Sequence, residues 1–211
     1  EPWIANGVLL ELEHGIDEGS QHMIQVLTQA RAGDRVYIAC DVFDAWDNRV
    51  VAPLGVELVA TAGVEVTAMG GERFSTIGTW VGTYDAYCQI GTVSDATPVT
   101  VTLQAGFPAI SHTEVSLTSA EPGENVVVGC SATDEFGNAV SGYSLHYTVF
   151  PADGASSAIY GVVQTDSDFS ATRTGPLYVA CGVDGYDAED ESPPLVRVVA
   201  GKPMIWGVNL L

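Results

Sequence analysis

Apolar side chains recur at every second position along most of this chain. Val36, Ile38 and Cys40 alternate with Arg35, Tyr37 and Ala39, and Val126, Val128 and Cys130 repeat the arrangement further on. Later, Tyr84, Ala86 and Cys88 share one side of an extended segment, as do Leu177, Val179 and Cys181. A period of two places such residues on one face of a β-strand, so all four cysteines are expected to face a core. Further strands are predicted at 56–60, 65–69, 99–103, 145–149, 159–163 and 195–199, separated by Gly, Pro, Asn, Asp and Ser. Residues 21–31 tolerate a helix, but 24–28 also reads as a strand, and the strand is preferred because residues 27–33 align with 117–123.

That alignment is part of an internal repeat. Residues 33–50, GDRVYIACDVFDAWDNRV, match residues 123–140, GENVVVGCSATDEFGNAV, without a gap, and 82–88, GTYDAYC, match 175–181, GPLYVAC. About seven short strands per copy, with a cysteine on two inward-facing ones, predict an all-β chain: two tandem immunoglobulin-like β-sandwiches, each with one intradomain disulfide. Four cysteines allow three pairings, and only Cys40 with Cys88 and Cys130 with Cys181 treats the copies alike. Each bridge would close a loop of about 50 residues, worth roughly 4 kcal/mol in the chain-entropy relation. Disulfides imply an oxidising, extracellular or cell-surface location. Buried free thiols remain the alternative, and a zinc site lacks the close cysteine spacing it needs.

The segment 132–142, ATDEFGNAVSG, resembles the signature turn of bacterial Ig-like domains, which stand in tandem along intimin- and invasin-type adhesins and other surface proteins. The resemblance covers 24–105 and 112–201. It implies that this segment links two strands of a sandwich, that the late cysteine strand completes the core, and that the domains act as spacers or binding tips. The first copy departs from it, with Asp47 where the turn glycine is expected. An aspartate side chain can also hold a turn.

Four parts result: 1–23, an N-terminal extension with a spare strand at 7–14 (Val8, Leu10 and Leu12 on one face); 24–105, the first domain; 106–201, the second; and 202–211, a terminal strand. The ends echo one another, since GFPAI at 106–110 introduces the second domain, GKPMI stands at 201–205 and EPWI opens the chain. Met204, Trp206, Val208 and Leu210 alternate with their neighbours, so 202–211 reads either as the start of a further module or as a strand donated to another copy.

The formal net charge is −20, divided as −10 in residues 1–105 and −10 in 106–211. A uniformly acidic surface repels phosphates and anionic lipid, which argues against nucleic acid and membrane partners. No apolar run reaches the roughly 20 residues that cross a bilayer. Asp184, Asp187, Glu189, Asp190 and Glu191 crowd one loop and could offer oxygen ligands to calcium, although the spacing is not that of an EF-hand and an exposed solvated loop explains it as well. Asp44, Asp47 and Asn48, with Asp134, Glu135 and Asn138, form a second acidic set that turn geometry explains. Trp3, Trp46, Trp80, Trp206, Tyr143, Tyr147, Tyr160 and Tyr186 are candidates for stacking on a sugar, against core packing for most of them. Trp46 and Phe136 share one repeat position, which favours packing there, whereas Tyr186 stands among acids as the expected exposed contact. His14, His22, His112 and His146 are scattered, and no nucleophile, P-loop, dinucleotide or zinc-protease motif is present, so no enzyme is expected. No cofactor is required, calcium being the one considered. The expected partners are neighbouring Ig-like modules, copies of the chain, or a surface protein or glycan.

Overall fold

The computed structural model describes residues 3–7, by their backbone alone, and 29–43, 50, 55–70, 72–94 and 98–202. The chain divides into two compact units, Glu1–Gly106 and Phe107–Leu211. Unit 1 runs β1 (Trp3–Gly7), β2 (Gln29–Arg31), β3 (Arg35–Phe43), β4 (Val56–Ala60), β5 (Val64–Gly70), β6 (Arg73–Gly78), β7 (Gly82–Ile90), β8 (Val93–Ser94) and β9 (Val99–Gln104). One of its sheets has the order β1-β3-β6-β5 and the other β2-β9-β7-β4, with β8 beside β7. Unit 2 runs β10 (Ile110–Val115), β11 (Ser119–Ala120), β12 (Val126–Thr133), β13 (Leu145–Pro151), a 3-10 turn Ser157–Tyr160, β14 (Val162–Gln164), β15 (Asp168–Ala171), β16 (Gly175–Val183), β17 (Glu189–Asp190) and β18 (Leu195–Val198). Its sheets are ordered β14-β15-β12-β10-β17 and β11-β18-β16-β13.

Apart from the short added strands β8 and β17, the two orders are the same. Each unit has an A-B-E-D sheet against a C-F-G sheet whose G strand is flanked by a short parallel strand, the immunoglobulin arrangement. The alternation seen in the sequence explains the layering. Val36, Ile38, Leu58, Phe74, Val101 and Leu103 fill the first core, and Val126, Val149, Phe169, Leu177, Val179 and Val196 fill the second.

Two expectations change. A strand at Trp3–Gly7 pairs with β3 from Trp3↔Phe43 to Gly7↔Ala39, so these residues of 1–23 join the first sandwich as the counterpart of β10. Residues 8–28, which hold the spare strand expected at 7–14 beyond Gly7 and most of the helix-or-strand choice at 21–31, lie outside the described residues, and Gln29–Arg31 is a strand. The strand expected at 159–163 is a 3-10 turn followed by β14. Gly161, at φ 61°, breaks the extended run in the left-handed region that glycine allows.

Candidate functional site

The sheets of each unit are joined across the core by a disulfide. Cys40 on β3 bonds Cys88 on β7 with Cα atoms 5.8 Å apart, and Cys130 on β12 bonds Cys181 on β16 at 5.7 Å. Both separations lie within the range a disulfide spans. Cys40, Cys88 and Cys181 are buried, while Cys130 is half-buried.

Around Cys181 the second sandwich uses hydroxyls where a strand is missing. β18 pairs with β16 only up to Tyr178, which leaves the Cys181 backbone facing β10. Ser111 donates to the Cys181 carbonyl at 2.7 Å, and the Cys181 amide donates to Thr113 Oγ1 at 2.8 Å. Thr113 in turn donates to the Asp190 carboxylate, whose other oxygen accepts from the Ser192 amide at 3.0 Å. Two side chains thus replace a ladder rung that would otherwise leave buried backbone groups unpaired. Nothing in the alternation pattern marked Ser111 or Thr113; their polar side chains at inward positions of a strand were the available signal.

The same network engages part of the acidic loop. Asp190 anchors β17 to β10, Glu189 precedes it on the same short strand and so points to the other side, and Asp184 lies 2.8 Å from His146 Nδ1. Asp187 and Glu191 are exposed. Among the described residues no three His, Cys, Asp or Glu side chains are grouped so that they could hold a metal ion.

The second acidic set forms a turn at its Asp134 to Asn138 part. Asp134 is buried, its Oδ1 accepts from the amides of Phe136 at 3.0 Å and Asn138 at 2.8 Å, and Asn138 Nδ2 donates to both of its oxygens. Gly137, at φ 84°, closes the turn with its amide on the Asp134 carbonyl. Asp44, Asp47, Asn48 and Trp46 lie outside the described residues, as do Met204, Trp206, Val208 and Leu210, His14 and His22, and the side chain of Trp3.

The remaining aromatic candidates separate by role. Tyr147 is buried, with its hydroxyl 2.9 Å from the Thr165 carbonyl and 2.5 Å from that of Asp168. Burial, reinforced by the Asp168 charge, raises its pKa. Tyr160 lies against Gly175, where an added Cβ would meet its ring at 2.2 Å, and its hydroxyl donates to Asp153 at 2.7 Å. That bond lowers the Asp153 pKa and raises that of Tyr160. Tyr186, 37 % exposed, stacks on Phe107 with centroids 6.0 Å apart and takes Tyr143 edge-on at 5.1 Å, so the expected exposed contact is part of an aromatic cluster in unit 2. Trp80 is 69 % exposed and borders a cleft of about 120 Å³ formed with Thr61, Gly63, Thr83 and Leu103. His112 Nε2 lies 3.2 Å from Thr133 Oγ1.

No family model matches the chain, and no curated protein matches it. Among solved structures it is similar to FdeC, an Escherichia coli adhesin, at 22 % identity over 83 % of this chain and 61 % of that one, with a TM-score of 0.48. InvD of Yersinia pseudotuberculosis is similar at 17 % identity over 88 % of this chain and 59 % of that one, TM-score 0.45. Invasin, a bacterial integrin-binding protein, is similar at 14 % identity over 94 % of this chain and 40 % of that one, TM-score 0.48. The chain therefore spans about three fifths of the length of FdeC and InvD, and two fifths of that of invasin, as solved. Its own strand orders and inter-sheet bridges, rather than these likenesses, make it a tandem pair of immunoglobulin-like sandwiches.

Proposed function

We propose that the chain is a structural or adhesive segment of an exported bacterial surface protein, a disulfide-stabilised spacer or binding module. The observation that carries this reading is the pair of inter-sheet bridges, one in each of two sandwiches of the same strand order. Bridges of this kind last where the surroundings are oxidising. They lock loops of 48 and 51 residues, so a pull on the chain ends cannot draw those residues out while the bridges hold. The even −20 charge favours solubility in salt and water over contact with phosphate polymers. Antibody staining of intact cells, with thiol titration of the shaved-off material, tests the reading. Signal from unbroken cells and blocked thiols supports it, whereas signal only after permeabilisation, with free thiols, would sink it.

A second reading is a filament subunit assembled by strand donation. Its support is the echo between 106–110, which leads into β10, and 201–205. By that echo 202–211 is the first strand of another sandwich, either the next in the same chain or that of a neighbouring copy. Light scattering with and without 202–211 separates the two: large assemblies lost with the tail favour donation, and a monomer in both cases favours the spacer.

A further inference from the structure

We infer that the outer face of the β11-β18-β16-β13 sheet is a surface on which two copies of this chain pair side by side. Register places Phe150, Tyr178 and Leu195 in one row across β13, β16 and β18, with the Phe150 and Tyr178 rings 5.7 Å apart. Phe150 is 39 % exposed, while Tyr178 and Leu195 are half-buried. The next outward positions on β16 are Ala180 and Gly182, the latter with the His146 ring lying over it, so the centre of the face at Ala180 carries only a small side chain. It has the apolar, small-residue texture of a docking surface rather than of a solvated one.

Charge decides the partner. The outward positions of these strands, from His146 to Arg197, hold no acid, in a chain with 27 acidic and 7 basic residues. Each of the other three outer sheet faces carries at least one: Glu57 and Asp85 on the corresponding face of unit 1, Glu65 on its other sheet, and Glu114 and Asp168 on the other sheet of unit 2. Two chains of −20 repel on nearly any approach, and meeting through this face keeps carboxylates apart at the contact. Its corners are complementary as well. Arg197 sits opposite Pro176 at one end of β16, and Asp184, 2.8 Å from His146 Nδ1 of its own chain and still exposed, lies just beyond the other, about 27 Å away at 3.3 to 3.4 Å per residue. A two-fold axis through the centre would bring the Arg197 of each copy toward the Asp184 of the other, as a self-complementary interface requires.

The pairing is weak. The three strands, seven, nine and four residues long and about 4.8 Å apart, span roughly 14 Å across and at most about 30 Å along, and two such faces bury less than the roughly 1,200 Å² of a stable dimer. It therefore suits chains crowded on a surface, and its occupancy rises with salt as repulsion between the copies is screened.

Sedimentation equilibrium of the full chain over a wide concentration range, at low and high salt, tests the inference. The expected result is a reversible monomer–dimer equilibrium that tightens with salt and persists when residues 203–211 are removed. Ala180→Glu and Thr148→Glu, which set like charges against each other across the axis, should each weaken it at least about tenfold. Val127→Glu, on the opposite face, should not. Circular dichroism melts confirm that the variants fold. A chain that stays monomeric throughout, or dimers that Ala180→Glu and Thr148→Glu leave intact, would overturn the inference while leaving the spacer reading untouched.

Discussion

Replacing Cys130 and Cys181 together by alanine frees a loop of 51 residues in the unfolded second sandwich. The chain-entropy relation sets the resulting loss at about 4 kcal/mol, nearly a factor of a thousand in the folding equilibrium at about 1.4 kcal/mol per decade. Against the roughly 5 to 15 kcal/mol that small domains possess, such a loss moves unit 2 close to its threshold. Unit 1 should be unaffected, because its core residues and those of unit 2 form separate clusters and Cys40–Cys88 is intact. The mirror variant, lacking Cys40 and Cys88, opens a loop of 48 residues and should cost unit 1 the same within a few tenths of a kcal/mol. Hydrogen exchange in rising urea, read peptide by peptide, follows the units separately. A loss under about 1 kcal/mol in the bridged unit, or an equal loss in the other, would refute the view that each bridge stabilises its own sandwich by restricting its own unfolded chain.

Asp134→Ala removes the acceptor for two backbone amides and the Asn138 side chain within a buried turn, and should cost unit 2 about 3 kcal/mol by urea denaturation; Gly137→Ala should cost about 1 kcal/mol through its left-handed backbone. Alkali should destabilise both units. The Tyr84 and Tyr147 phenols have pKa values raised above 10.0, chiefly by burial, so the folded chain holds protons that the unfolded chain releases first. Stability is thus full below pH 10 and falls as pH climbs through the raised values, and melting curves of Tyr147→Phe should show a smaller alkaline loss than the parent. Millimolar calcium should leave the melting temperature within about 1 °C; a rise that a chelator reverses would mean that the acids of 184–191 regroup around the ion.

Much of this fold could be read from alternation because its strands have one wet and one dry side. The cysteine strands, the repeat and the turn at Asp134 followed from residues whose burial and chemistry agree. β6 and β15 escaped notice because their inward positions do not look like a core: β6 buries Thr76, along with the outward Ser75, and β15 is four residues long. The row 159–163 misled in the opposite sense, since Ile159 and Val163 have strand-forming side chains but are exposed, on either side of the turn that Gly161 sets. The acids of 184–191 were visible as a cluster, but a list of carboxylates does not say which are already engaged. Only the pairing of β10 with β17 shows Asp190 fastened to Thr113.

The two copies also differ where their strand plan agrees, and the difference shows what the plan demands. In unit 1, Val36 lies opposite Thr76, whose hydroxyl is 2.8 Å from that of Tyr84. The equivalent places in unit 2 are Val126, Phe169 and Leu177, with Phe169 and Leu177 fully buried. A buried tyrosine hydroxyl without a partner is costly, and an apolar ring beside a lone threonine hydroxyl would strand that group instead. The positions are therefore coupled: hydroxyl with hydroxyl in one core, hydrocarbon with hydrocarbon in the other. Unit 2 still buries one tyrosine, moved to β13 opposite Cys181, where unit 1 has Leu58 opposite Cys88. There Tyr147 reaches backbone carbonyls in the turn between β14 and β15, a partner that needs no particular side chain. What the sandwich requires at these sites is volume beside the bridge and a partner for each buried hydroxyl; which residue provides them is free to change between the copies.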